Sequence, residues 1–391
     1  MCYNYIRFSI LICLFFVQRR ETVKTAGIIA EYNPFHNGHE YHIQKTREKS
    51  GADGIIAVMS GNFVQRGDAA LCDKYSRAKA AVLGGADLVA ELPCFFACQS
   101  AEFFAKGGVE ILEAMKCDYI SFGTETDDIS ELIKLADTIK SSGPDFGKRL
   151  SEELKSGVSF PKAMANVIGS DLLNTPNNVL AVEYLKAVKS MTPLCVKRYG
   201  SQHDGEGSAS FIRQRISEGK SIEKFVPRST YKILESSDFA DRKILESLIL
   251  YKLHTVTEEE LKKVPDVTEG LEHRIIDCAK KCTSLEQLCG MIKTKRYTMA
   301  RIRRIMINAL LGITAEDLKQ PPQYIRVLGM NDTGKKILAD LRGKTDIPII
   351  TKTADAEKCR MLETDIAASN IYSVLTGQPA MSDYKKSPVI I

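Results

Sequence analysis

The chain has 391 residues, 44% of them hydrophobic and 26% charged, with a formal net charge of +5. The length allows two domains with separate cores, and the composition is that of a soluble globular protein without low-complexity tracts or internal repeats. A balance this mildly basic says nothing about nucleic acid by itself, so the distribution of charge has to carry that argument.

Residues 1–22 stand apart from the rest. The apolar run Ser9–Val17, "SILICLFFV", is nine residues long, too short for a bilayer span of about 20. "QRRETVK" follows it where a signal peptide would carry a small-residue cleavage site. The expectation is a poorly ordered extension or an upstream start, with a short anchor as the minor alternative and the folded domain beginning near Val23.

From Thr25 short apolar runs alternate with helical segments. The runs 26–32, 53–60, 86–93 and 117–123 read as strands, and 38–50, 74–85, 100–115 and 128–142 as helices. Strands apolar throughout and separated by helices predict an α/β fold with a Rossmann-like parallel sheet covered on both faces. A helical insertion runs from Phe146 to about 190, after which the strand 194–200 and the helix 208–219 return to the sheet. Pro227 marks the exit, so 23–226 is expected to be one catalytic domain and 227–391 a mostly helical second one, with a strand in "IPIIT" (347–351).

Eleven cysteines, odd in number and irregular in spacing, argue against a disulfide framework and for a reducing cytoplasm. Cys278, Cys282 and Cys289 lie in amphipathic helix, where cysteine is a small apolar residue, and no metal site is expected there.

"EYNPFHNGHEYH" (31–42) places three of the six histidines within seven residues, directly after the first strand. Asn33-Pro34 and Asn37-Gly38 are turn and cap chemistry, so His36 and His39 fall at a helix N-terminus, where backbone amides and the helix dipole favour phosphate. Gly38 lets a ligand approach the backbone, and two imidazoles at i and i+3 can donate to phosphate oxygens. The plain alternative, one capping histidine and two on the surface, does not account for the order strand, turn, glycine, helix.

"HNGH" is similar to the His-x-Gly-His signature of the nucleotidylyltransferase superfamily, and "SASFIR" (208–213) to its second signature, Ser-Ser-Thr-x-Ile-Arg. With "AVMSGNFVQRGDAA", "KYSRAKAAVLGGADLVAELP", "SFGTE", "PNNVLAVEYLKA", "KRYTMARIRRIMINALLGI" and "RVLGM", these resemble the bacterial tRNA(Met) cytidine acetate ligases over about 23–390. The resemblance implies an enzyme that spends ATP, bound as Mg-ATP, to activate acetate as acetyl-adenylate. The acetyl group would then pass to N4 of the wobble cytidine of elongator tRNA(Met). It implies catalytic roles for His36 and His39. It places the nucleotide along Ile29, Ala30, Glu31, Tyr32, Asn33, Pro34, Phe35, His36, Asn37, Gly38, His39, Glu40, Tyr41 and His42. Gly123, Asn178 (preferred to Asn177) and Arg198 would also meet it. Ser208 and Ser210 would cap a helix against phosphate, and Arg213 would offer a fixed cation. The competing reading is a small-molecule nucleotidylyltransferase with an appended helical domain.

The loop 60–70 faces the same edge, and Gln65, Arg66 and Lys74 are candidates to guide tRNA or line the acyl site. "KTKRYTMARIRR" (293–304) carries six basic residues and no acid. Ile302, Ile305, Met306 and Ala309 form its apolar stripe, which leaves Lys293, Lys295, Arg296, Arg301, Arg303 and Arg304 as expected phosphate contacts.

Overall fold

Thr25–Ala30 (β1) is apolar on both sides because it lies inside a sheet covered on both faces. In this computed structural model, which describes residues 23–391 except 127, 159, 199–204 and 295–296, the predicted extension 1–22 lies outside the described residues. The other strands are β2 (Gly54–Ser60), β3 (Phe63–Val64), β4 (Asp68–Ala69), β5 (Leu88–Leu92), β6 (Tyr119–Thr124), β7 (Thr192–Lys197), β8 (Ile325–Met330), β9 (Ile349–Ile350) and β10 (Val389–Ile390). The main sheet runs β10-β8-β5-β2-β1-β6-β7, with β9 beside β8, while β3 and β4 form a separate hairpin.

The helices that place the site are α1 (Asn37–Ser50), α2 (Lys74–Leu83), α3 (Ala101–Ala114), α4 (Pro176–Ala187), α5 (Ala209–Ser217), α6 (Arg228–Glu235), α7 (Met299–Leu311) and α8 (Arg360–Thr376). Period-2 alternation sends Ile28, Ile55, Ala57 and Met59 to one face, against Ile43 of α1 and Ala78 and Ala81 of α2. Ile56, Val58, Ile120 and Phe122 go to the other, against Leu112 of α3 and Val182 of α4, and this core continues into Ile302 and Ile305 of α7 and Leu362 of α8. After β5 the chain returns to pair β6 beside β1, so the topology reverses between those two strands. Their carboxyl ends flank the crevice where such sheets bind ligands.

The predicted α/β fold is present, with strands that patterning did not anticipate: the β3–β4 hairpin, β10 and, the longest of them, β8. Ile325–Met330 comes from the mainly helical half and pairs antiparallel with β5, Glu91 opposite Arg326, so the sheet is mixed. The pairing is pinned by a buried ionic cluster. Lys74 Nζ reaches Glu91 at 2.8 Å and Asp383 at 3.1 Å, and Arg326 reaches Asp383 at 2.9 Å. Arg326 also donates to the Tyr75 hydroxyl at 3.1 Å and to Thr353 Oγ1 at 3.0 Å. Lys74 is only 1% exposed, so it guides no RNA; its charge is spent inside the fold.

Candidate active site

His36 is the N-cap of α1, in extended backbone at φ −139°, ψ 171°. Two reciprocal bonds close the cap: the Gly38 N–H donates to His36 Nδ1 at 3.1 Å, and the His36 N–H donates to His39 Nδ1 at 3.2 Å. The two rings stack with centroids 3.6 Å apart. Because each Nδ1 accepts a backbone N–H, each neutral ring must carry its proton on Nε2. Two Nε2–H donors thus stand at the end of a helix whose amides already favour anions. Gly38 also fits here because a Cβ would lie 3.0 Å from His36 Cε1, so that the ring would have to give by a few tenths of an ångström.

Burial, with Arg198 and Arg213 adding to it, lowers the His36 imidazole to about 4. Burial alone does the same to His42, and His39 lies well below the usual value through burial and its histidine neighbours. The rings are therefore neutral at pH 7. A lowered value in the folded chain means that the unfolded chain takes up protons first on acidification. The histidine contribution to stability is present above about pH 6.5 and is lost as pH falls toward about 4. His42 Nε2 lies 3.0 Å from Ser121 Oγ, a bond glutamine can retain. His42→Gln is expected to lose less melting temperature than wild type between about pH 7 and pH 5; equal losses would remove His42 from the acid response.

The second predicted signature meets the first. Arg213 donates from Nη1 to the Asn33 carbonyl at 2.6 Å. Ser208 caps α5 by accepting the Phe211 N–H at 3.2 Å, and Ser210 Oγ accepts from Arg66 at 3.1 Å. Asn37 is tied to the segment after α5, its N–H and side-chain amide donating to the carbonyls of Phe225 and Lys224. Opposite, at the carboxyl end of β6, a Cβ on Gly123 would meet only Arg198 Cγ at 3.5 Å, which leaves room over this strand for a ligand. Asn178 Oδ1 accepts the Glu125 N–H at 3.3 Å and Asn177 donates to the Glu125 carboxylate at 2.7 Å, while Arg198 approaches the same carboxylate at 3.9 Å.

Not every residue of 29–42 turns its side chain to this crevice. Phe35 is fully buried in the core under α2, and the Ile29 side chain packs onto Gly108, where a Cβ would come within 2.7 Å. Asn33 Oδ1 accepts the Leu71 N–H at 2.7 Å, Glu31 accepts the Gln65 N–H at 2.9 Å, and Glu40 is exposed. Tyr41 packs under Lys45, Ala30 at the end of β1 packs against the core beneath α1 and α2, and Pro34 follows a cis peptide bond. Tyr32 sits at φ +47° with its ring edge-on to His39 and its hydroxyl buried without a partner among the described residues, strain of the kind that collects at functional sites.

Arg77 was missed. It is 1% exposed on α2 and donates to the carbonyls of Glu31 (2.7 Å), Ser60 (3.0 Å) and Gly61, binding together the loops that leave β1 and β2. The available signal was its place on the apolar side of α2, one turn before Ala81.

The predicted basic segment divides. Lys293 and Arg303 are exposed, and Lys295 and Arg296 lie outside the described residues. Arg301 is turned onto the Asp266 carbonyl (2.6 Å) and Thr268 (3.2 Å), and Arg304 onto the Asp266 carboxylate (3.5 Å). Cys278, Cys282 and Cys289 are free thiols, and no group of three or more metal-ligating side chains gathers among the described residues.

The HIGH Nucleotidyl Transferase family model matches residues 23–387. The tRNA(Met) cytidine acetate ligase of Thermoanaerobacter sp. (strain X514) is 42% identical, covering 89% of this chain and 94% of the relative. That of Clostridium perfringens is 38% identical over 93% and 98%. Among solved structures, Thermotoga maritima TmcAL in its apo form superposes with a TM-score of 0.87 at 31% identity, covering 94% of this chain and 99% of that one. The same protein bound with alpha-thio ATP gives 0.86.

Proposed function

This chain belongs to the tRNA(Met) cytidine acetate ligases, within the HIGH nucleotidyl transferases, and from that membership we propose how its own residues carry the chemistry. It is an ATP-dependent ligase. Acetate attacks the α-phosphate of ATP, giving acetyl-adenylate and pyrophosphate; the N4 amine of the wobble cytidine of elongator tRNA(Met) then takes the acetyl group, releasing AMP and a proton. A small-molecule nucleotidylyltransferase is thereby set aside.

The Arg213–Asn33 hydrogen bond carries the assignment of residues, because it draws both signatures onto one crevice. In-line attack at phosphorus needs positioning and charge stabilisation rather than a covalent nucleophile. His36 and His39 offer Nε2–H donors to the triphosphate, Arg198 and Arg213 offer cations, and Ser208 and Ser210 sit at the α5 end facing it. Gly123 and Asn178 shape the adenosine side, with the backbone of 29–42 beneath. A magnesium ion arriving with ATP would supply charge neutralisation on the phosphates beside the Arg198 and Arg213 guanidiniums. Residues 23–226 carry the chemistry and 227–391 supply most of the tRNA contact, among them Lys293 and Arg303 and, in the same segment, Lys295 and Arg296. Arg301 and Arg304 hold that segment in place. No helix among the described residues is long and apolar enough to cross a membrane, and a cytoplasmic location rests on the many thiols.

Incubation with ATP and labelled acetate should release pyrophosphate only when acetate is present. Elongator tRNA(Met) from cells lacking the gene should carry no acetyl mass on its wobble cytidine. Pyrophosphate release indifferent to acetate would overturn this assignment.

A further inference from the structure

The β3–β4 hairpin touches both signatures and the carboxyl-terminal half. On one side the Gln65 N–H donates to Glu31, Arg66 donates to Ser210, and the Leu71 N–H donates to Asn33. On the other, Gly67 rests on the backbone of α7: at φ +71°, a Cβ there would lie 2.5 Å from both the Arg303 carbonyl carbon and the Arg304 nitrogen. Asp68 pairs with Arg242 at 2.9 Å, and the Ala70 carbonyl accepts from the Tyr372 hydroxyl at 3.0 Å. The hairpin therefore holds a fixed place between the nucleotide crevice and α7.

Of the exposed cations around it, Arg303 alone comes from the predicted basic helix. Arg66, Arg242 and Arg303 are all exposed, whereas Arg301 and Arg304 face inward. Arg66 and Arg242 both act electrostatically on Arg213, so their charges lie close to the second signature. The Arg242–Asp68 pair leaves the arginine 72% exposed, and exposed ion pairs contribute little, so phosphate can displace Asp68 at low cost. Guanidinium forks match phosphate oxygens in pairs.

We propose that Arg66, Arg242 and Arg303, set around the β3–β4 hairpin, form the cradle for the phosphate backbone of the RNA strand carrying the target cytidine. The cradle leads that strand from α7 to the crevice where the adenylate is made. This rests on the tRNA-acetylating reading and extends its tRNA surface from Arg303 on α7 to the hairpin. Specific recognition of RNA favours unpaired loops, whose backbone such a narrow ridge can follow.

The test compares Arg242→Gln, Arg242→Lys and the double variant Arg242→Gln/Arg303→Gln with Lys79→Gln/Lys232→Gln. The last pair lies in a second cationic groove, of about 570 Å³, between α2 and α6. Each lost contact in the cradle should reduce the slope of log K for tRNA against log salt by about 0.7–0.9. The double variant should raise KM for tRNA about tenfold or more, with kcat at saturating tRNA within about twofold. Arg242→Lys should recover the slope. Acetate-dependent pyrophosphate exchange without tRNA should persist, because neither side chain is among the groups placed around the nucleotide. An unaltered slope and KM in the folded double variant would overturn the proposal, as would a change confined to the Lys79/Lys232 pair or a parallel loss of tRNA-independent exchange. Wild-type protein lacking acetate-dependent exchange would instead overturn the underlying reading, and the cradle with it.

Discussion

His39→Ala is expected to lower acetate-dependent pyrophosphate exchange by about 10²–10³, the scale of about 2.7–4 kcal/mol for losing one preorganised donor to a developing oxyanion. The reason lies in the tautomer. His39 Nδ1 accepts the His36 N–H, so the ring's proton is on Nε2 and stands at the helix end before substrate arrives. Alanine also deletes half of the cap, at about 1 kcal/mol of stability, and could free the stacked His36 ring to turn. His39→Gln separates the two effects. Glutamine is the usual third residue of a capping box, so it keeps the backbone acceptor while moving the donor. A stable His39→Gln protein with a large loss of exchange assigns the loss to the donor. Full exchange in either folded variant would remove His39 from the chemistry.

Asp383→Ala should give the largest change in stability. Asp383 lies 1% exposed between Lys74 and Arg326, which hold its carboxyl below the usual range against the opposing effect of burial. Its removal leaves two buried cations sharing Glu91. Breaking such a network by deleting one partner costs about 3–5 kcal/mol, mostly from the charge left uncompensated. The same aspartate anchors the chain's last residues to α2 through Lys74 and to β8 through Arg326, so the β8 edge should loosen with it. Thermal melts and hydrogen exchange across 325–330 check both points. A melting temperature within a degree or two of wild type would mean that water or Glu91 alone can balance the pair.

The strand, turn and helix start that frame the proposed nucleotide site were legible in sequence because their signals are local. A strand, a turn rich in Asn and Pro, a glycine and a helix start follow one another within 25–42, and period and cap chemistry are written in adjacent residues. The resemblance carried by "HNGH" and "SASFIR" then linked two segments 180 residues apart, Asn33 and Arg213, that the fold joins by a hydrogen bond. Two residues were not legible. Lys74 and Arg77 stand in an amphipathic helix like any surface cation, yet one closes an ion cluster and the other ties loops together.

By itself, then, the sequence determined the alternation of strands and helices, the histidine-capped helix end proposed to receive phosphate, and the family to which those signatures belong. Tertiary structure decided the rest. It brought Ile325–Met330 to the edge of β5, turned Arg301 and Arg304 inward to Asp266 while leaving Arg303 in solvent, and set the β3–β4 hairpin on the backbone of α7. The physical reason is range. Backbone preference and side-chain period act over a few residues. Whether a cation meets a phosphate, a carboxylate or a carbonyl depends on what packing brings beside it from distant parts of the chain, as Asp383 is brought to Lys74.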